Sequence, residues 1–158
     1  MRISNIILSP YARWIGDKSR RNAKDYPYMQ SLVSILTAKG HKIIQVGVGS
    51  EPKILGCEYV FDLPLKDLEE FTKKVGYFLA VDNFFHHMAY CLRVPGIVLW
   101  GPSDSRLFGY EDQRNIGNGR EYLRSDQFGF YHLDWVWPHE RDGWLDAETV
   151  YEKMKEVL

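Results

Sequence analysis

Cysteine is scarce: Cys57 and Cys91 are the only two, both in apolar or strand-like surroundings. Two isolated thiols cannot build a disulfide framework. They read as small buried hydrophobes in a reducing cytosol, so a cytoplasmic location is expected. Long apolar runs are missing as well. The longest, such as Ile6 to Leu8 and Gly96 to Trp100, are far too short to span a bilayer. Met1 to Asn5 lacks the apolar stretch of a signal peptide. Charge of one sign is lacking too. The net charge is -1 over 158 residues, so no global field recruits nucleic acid or an anionic membrane. Any anion must be held locally. Repeats, low-complexity stretches and linkers are also missing, which predicts a single domain over residues 1–158. A chain of this size buries roughly 70% of its unfolded surface.

What is present is an alternation of strand and helix signals. Asn5 to Ser9, Lys42 to Val46, Tyr59 to Asp62, Tyr77 to Val81 and Gly96 to Trp100 read as strands. Met29, Leu32, Val33 and Leu36 recur at helical spacing, as do Leu65, Leu68, Phe71, Thr72 and Val75, and then Phe85, Met88, Ala89 and Leu92. Alternation of this kind predicts an α/β fold of Rossmann type, a parallel sheet of about five strands with flanking helices. Residues 101–145 have no period and form an irregular, aromatic-rich segment. A closing helix over 146–158 is predicted, capped by Asp146.

Parallel sheets bind ligands beyond the carboxyl ends of their strands. The first strand empties into Ser9, Arg13, Lys18, Arg20, Arg21 and Lys24, a basic loop suited to clamp a phosphate or simply to be solvated. The second ends in Gly47-Val48-Gly49-Ser50-Glu51, whose glycines permit a tight turn and close backbone approach. Tyr77 to Val81 delivers Asp82 and Asn83 to a helix start, with His86 and His87 one turn on. A helix start caps its own N–H groups or attracts phosphate. The histidine pair does not have the spacing of a metal site, so none is expected. Gly96 to Trp100 ends in Gly101-Pro102-Ser103-Asp104, a turn that places a hydroxyl at the strand tip.

Together these pieces resemble the C-terminal, nucleotide-sugar-binding domain of family 9 (heptosyltransferase-like) glycosyltransferases of the GT-B fold. Val81 to Ala89 is similar to the family run Asp, Ser or Thr, Gly, two variable residues, His, one variable residue, Ala. Val94 to Asp104 resembles Val-Pro, four variable residues, Phe or Trp, Gly-Pro, Ser or Thr, Asp, with spacing kept. Lys24-Asp25-Tyr26-Pro27 looks like the family's Lys, variable, Trp-Pro, and Gly47 to Glu51 its Gly-Gly turn ending in Glu. The resemblance covers roughly Asn5 to Gly109 and Leu145 to Leu158.

The strand ends, together with the resemblance, predict a donor site formed by Ser9, Arg13, Lys24, Gly47, Glu51, Asp82, Asn83, His87, Gly101 and Ser103. Lys24 would meet the donor diphosphate, Asp82 and Asn83 the sugar or phosphate oxygens, and Glu51 the nucleoside side. No cofactor and no metal would be needed, and the partner would be a nucleotide sugar. Two departures stand out. Phe84 replaces the family glycine, and the chain resembles one of two GT-B halves, so no catalytic residue is assigned. The chain therefore reads as a glycosyltransferase or one subunit of a split one. Open alternatives are a non-catalytic nucleotide or nucleotide-sugar binding module and a degenerate domain with a structural or interaction role. Seven aromatics between Tyr122 and Trp144 are many for a loop. They predict either packing beneath the loop or contact with another chain, a second copy or an acceptor-domain subunit.

Overall fold

The computed structural model describes residues 3–13, 22–129 and 136–158. In chain order these form β1 (Asn5–Ser9), α1 (Met29–Ala38), β2 (Lys42–Gly47), β3 (Glu58–Phe61), α2 (Leu65–Val75), β4 (Phe78–Val81), α3 (Phe84–Cys91), β5 (Gly96–Trp100), α4 (Ser105–Phe108), β6 (Arg114–Gly117) and α5 (Ala147–Met154). A 3-10 turn, Arg120–Tyr122, lies between the last two. The sheet has six strands in the order β3-β2-β1-β4-β5-β6, every pair parallel. The sixth strand, β6, is the one its sequence hides. Its four residues, Arg-Asn-Ile-Gly, bury only Ile116, so no apolar run marks it.

The central strands are apolar because both faces are covered. Along β1, Ile6 and Leu8 face one core and Ile7 the other; along β4, Leu79 and Val81 oppose Phe78 and Ala80. The first core collects Leu32 and Leu36 of α1 with Val150 and Met154 of α5. The second collects Phe85, Met88 and Ala89 of α3, with Leu68 and Phe71 of α2 against it. The predicted cap of α5 is present: Asp146 Oδ1 accepts the Thr149 N–H at 2.8 Å.

Trp137 and Trp144 are buried in the first core, their rings edge to face at 5.9 Å. Trp137 Nε1 donates to the Tyr122 carbonyl at 2.8 Å, and Trp144 packs on Tyr26. These two indoles therefore seal the chain's own fold and offer no partner surface. Phe128 is exposed; Phe130, Tyr131 and Trp135 lie outside the described residues. Cys57 is half-buried, and burial pushes its thiol up to about 11. Cys91 is exposed rather than buried, because it ends α3 just before the chain turns at Arg93 with φ 57°. Among the described residues, no helix is long and apolar enough to cross a membrane.

Candidate functional site

Strand order reverses direction between β1 and β4, and the crevice outside their carboxyl ends is where such sheets take ligands. A cleft of about 1180 Å³ opens there. Ser9, Arg13, Lys24, Gly47, Glu51, Asp82, Asn83 and His87 all line it. Gly101 and Ser103 do not line it. Gly101 is buried against the Trp144 ring at the end of β5, leaving no room for even a methyl group. Ser103 touches the site through Asp82, to which its hydroxyl donates a hydrogen bond.

Asn83 holds the crevice together. Its Oδ1 accepts the Phe85 N–H at 2.9 Å and so caps α3. Its Nδ2 reaches across to Ser9 Oγ at 3.0 Å and to the carbonyls of Ser9 and Tyr11 at 3.2 and 3.0 Å. The loop after β1 is fixed further on. Asn22 Nδ2 donates to the Arg13 carbonyl at 2.9 Å, and Asp25 Oδ1 accepts the Ala12 N–H at 2.7 Å. Lys18, Arg20 and Arg21 of the predicted basic patch lie outside the described residues.

These contacts aim Lys24 at Asp82, with Nζ and Oδ2 2.7 Å apart. Burial alone would raise the Asp82 carboxyl. A hydrogen bond from His86, the Lys24 ammonium and the Ser103 hydroxyl outweigh it and hold Asp82 below the usual carboxylate range. As an ionised carboxylate it only accepts, so the fully buried His86 donates Nε2–H to Oδ1 at 3.4 Å. Next along α3, His87 places Nδ1 2.8 Å from the Tyr110 phenol. Burial first, and the Lys24 ammonium with it, hold the His87 imidazole below its ordinary value against the opposing charge of Asp82.

The opposite end of the cleft is acidic. Glu51 folds back under its own turn, Oε2 accepting the Val48 N–H at 3.3 Å. Asp62 accepts the Gly49 N–H at 2.9 Å, from a left-handed backbone with φ 60°. Asp tolerates that region better than most residues. The turn's N–H groups are thus filled by carboxylates, and a phosphate there would meet negative charge. Burial raises the Glu51 carboxyl, and the Asp62 charge adds to it. Asp62, read as the end of the third strand, and Tyr110 and Gln113 were not among the expected site residues. Only the turn-like Asp62-Leu63-Pro64 carried a signal, a weak one.

No protein-family model matches the sequence, and no curated protein matches it. Solved structures do match in fold. The chain is similar to the dodecameric iron-containing heptosyltransferase TibC of enterotoxigenic E. coli, in complex with ADP-D-beta-D-heptose. That match has a TM-score of 0.74 at 12% identity, covering 99% of this chain and 45% of TibC. It is similar to the E. coli heptosyltransferase WaaC with ADP, at TM-score 0.61 and 18% identity over 94% of this chain and 44% of WaaC. It is likewise similar to a family 9 glycosyltransferase from Veillonella parvula, at TM-score 0.64 and 14% identity over 99% of this chain and 47% of that one. The chain thus spans less than half the length of these structures.

The TibC match corrects one expectation. The reading that such proteins need no metal does not hold, since TibC is iron-containing. It came from the resemblance, in which cations and helix dipoles take the diphosphate charge, and from the spacing of the two histidines, which left Asp82, four residues before His86, out of the ligand set. Among the described residues, Asp82, His86 and His87 each offer one ligand atom, all within 4.8 Å of one another. Two imidazoles and a carboxylate suit iron in kind, although the Lys24 ammonium already occupies Asp82. A six-stranded parallel sheet opened at its switch point is, with these likenesses, the fold of one half of a GT-B glycosyltransferase of the heptosyltransferase kind.

Proposed function

We propose that this chain binds a nucleotide-diphosphate sugar in the cleft between β1 and β4, as the donor-binding half of a cytoplasmic glycosyltransferase. The observation that carries the reading is the cleft's polarity. Arg13 and Lys24 outnumber the Asp82 carboxylate beside β1 and the capped start of α3, and Glu51 and Asp62 follow β2 and β3. A nucleotide sugar has the matching shape, an anionic diphosphate between two hydroxyl-rich groups. Cations and helix dipoles favour the diphosphate. Carboxylates favour hydroxyl donors, so Glu51 and Asp62 suit the ribose and base. ADP and ADP-heptose in the structural neighbours make an adenosine diphosphate the first ligand to try. The acceptor surface would come from another chain or a second copy. Should an ion be carried, as in TibC, Asp82, His86 and His87 would hold it, and it would supply positive charge beside the diphosphate.

One observation favours a second reading, a nucleotide-sugar binding module without catalysis. Phe84 is 60% exposed at the first position of α3, where the resembled family has glycine. Titration calorimetry with ADP, UDP, GDP and their hexose and heptose conjugates tests the binding claim. One conjugate should bind more tightly than its free diphosphate. No heat with any of them at millimolar concentration would overturn the proposal. Sugar release or transfer only on addition of an acceptor-domain subunit separates the enzyme from the module.

A further inference from the structure

His87 lines the cleft, and its ring is held from behind. Tyr110, between α4 and β6, sets its phenol 2.8 Å from His87 Nδ1. The Tyr110 ring is itself stacked flat on Tyr90 of α3, centroids 3.7 Å apart and planes 6° from parallel. Three residues on, Gln113 Nε2 donates to the His86 carbonyl at 2.8 Å, and its Oε1 faces His86 Nδ1 at 3.3 Å. The segment from Tyr110 to Gln113 is therefore pinned to α3 at several points, and the phenol has little freedom to leave. A phenol O–H is a better donor than an imidazole N–H, and an imidazole nitrogen a better acceptor than a phenol oxygen. The proton in this contact belongs to Tyr110, and Nδ1 accepts. A neutral imidazole that accepts at Nδ1 carries its single proton on Nε2.

We propose that Tyr110 is a positioning residue that, with no ion on the Asp82, His86 and His87 group, fixes His87 as the Nε2–H tautomer, so that His87 presents a hydrogen-bond donor, not a base, to an oxygen of the ligand in the cleft. The tautomer stands on the protein's own contacts. Its use on a phosphate or sugar oxygen rests on the donor-site reading above. A histidine protonated on its open nitrogen cannot also take a proton from an acceptor hydroxyl, so a general base must come from elsewhere.

The test is long-range proton–nitrogen NMR on 15N-histidine-labelled full-length chain near neutral pH. His87 is assigned by its loss in His87→Gln. The expected wild-type pattern is a protonated Nε2 and an unprotonated, hydrogen-bonded Nδ1. Tyr110→Phe keeps the ring stacked on Tyr90 and should turn that pattern into an average of the two tautomers. A wild-type Nδ1–H tautomer, or an unchanged pattern in Tyr110→Phe, overturns the inference. The wild-type spectrum decides the tautomer even where the variant fails to fold. ADP is the probe for the ligand step. Its affinity should fall about tenfold in His87→Ala, a loss typical of one hydrogen bond. It should fall severalfold in Tyr110→Phe and be largely kept in His87→Gln, whose amide N–H₂ can stand where Nε2–H stood. ADP that binds wild type and His87→Ala alike refutes the donor role. Failure of ADP to bind wild type refutes that role and the adenosine-diphosphate reading but leaves the tautomer standing.

Discussion

Asn83 Nδ2 lies 3.0 Å from Ser9 Oγ, joining the start of α3 to the end of β1 across the switch point of the sheet. The same amide donates to two carbonyls of the β1 loop while its oxygen caps α3. Asn83→Asp should keep the cap, since Asp is as good an N-cap as Asn. It loses every donor on the other side and sets a carboxylate against two carbonyl oxygens. The expected cost is about 2–3 kcal/mol in urea unfolding. A loss under about 0.5 kcal/mol, the range of neutral surface changes, would mean that the crossing contacts hold nothing.

Lys24 and Asp82 form the second crossing, 2.7 Å apart with Asp82 almost buried. Lys24→Met leaves Asp82 with His86 and Ser103 but without its counter-charge. A loss on the order of 3 kcal/mol is expected, because stranding a buried charge costs more than the pair contributes. Adding Asp82→Asn should restore much of that loss, so the double variant is more stable than the sum of the singles predicts. Strict additivity in a double-mutant cycle would show that the two side chains do not interact in solution.

The sheet was legible because its central strands are unbroken apolar runs, and the strand-end polar residues followed from that topology. Eight of the ten expected site residues line the cleft, since Ser9, Gly47 and Asp82 each end or follow a strand at the switch point or beside it. Gly101 also follows a strand but lies one strand further out, where Trp144 covers it. Which strand end opens and which is covered depends on where the irregular segment folds back, and that segment has no periodicity to read. Tyr110 and Gln113 belong to it, and their link to α3 is made only by tertiary packing.

The third prediction concerns pH. Arg120 grips Asp104 through two bonds, Nη1 to Oδ1 at 2.9 Å and Nη2 to Oδ2 at 2.7 Å. That grip, aided by the Arg106 N–H, holds the Asp104 carboxyl below its ordinary value against a smaller opposing effect of burial. An unfolded Asp titrates near about 3.9. The stabilisation is therefore present above that pH and is lost as pH falls toward the lower folded value. Between pH 5 and pH 3 wild type should lose more stability than Arg120→Met, measured by urea midpoints. Parallel losses in the two proteins would exclude Asp104 as a source of acid sensitivity.

The fourth prediction uses the Asp82, His86 and His87 group, whose ligand atoms lie within 4.8 Å of one another. The Lys24 ammonium occupies one Asp82 oxygen and repels a divalent cation. Lys24→Ala removes both obstacles. It should bind Co²⁺ more tightly than wild type does, with a visible absorption band, and His86→Ala in that background should abolish the gain. Equal Co²⁺ uptake with and without Lys24 would show that the cluster is not where the metal goes.

The last prediction compares two glycines that the sequence reading placed in one site. A methyl group at Gly47 would overlap the Glu51 carboxylate, the far end of a flexible, partly exposed side chain. A methyl group at Gly101 would overlap the Trp144 ring, which is buried and wedged between Tyr26 and Trp137. Glu51 can swing aside, and the indole cannot. Gly47→Ala should therefore change stability by less than about 1 kcal/mol while altering ADP affinity, because Glu51 leaves its place under the turn. Gly101→Ala should cost about 1–3 kcal/mol, the usual penalty of overpacking a core, and leave ADP affinity unchanged. Urea unfolding, read by tryptophan fluorescence, and calorimetry on the same two variants give all four numbers. If Gly101→Ala weakens ADP binding without loss of stability, Gly101 faces the ligand after all. The placement of Trp144 over the end of β5 would then be wrong.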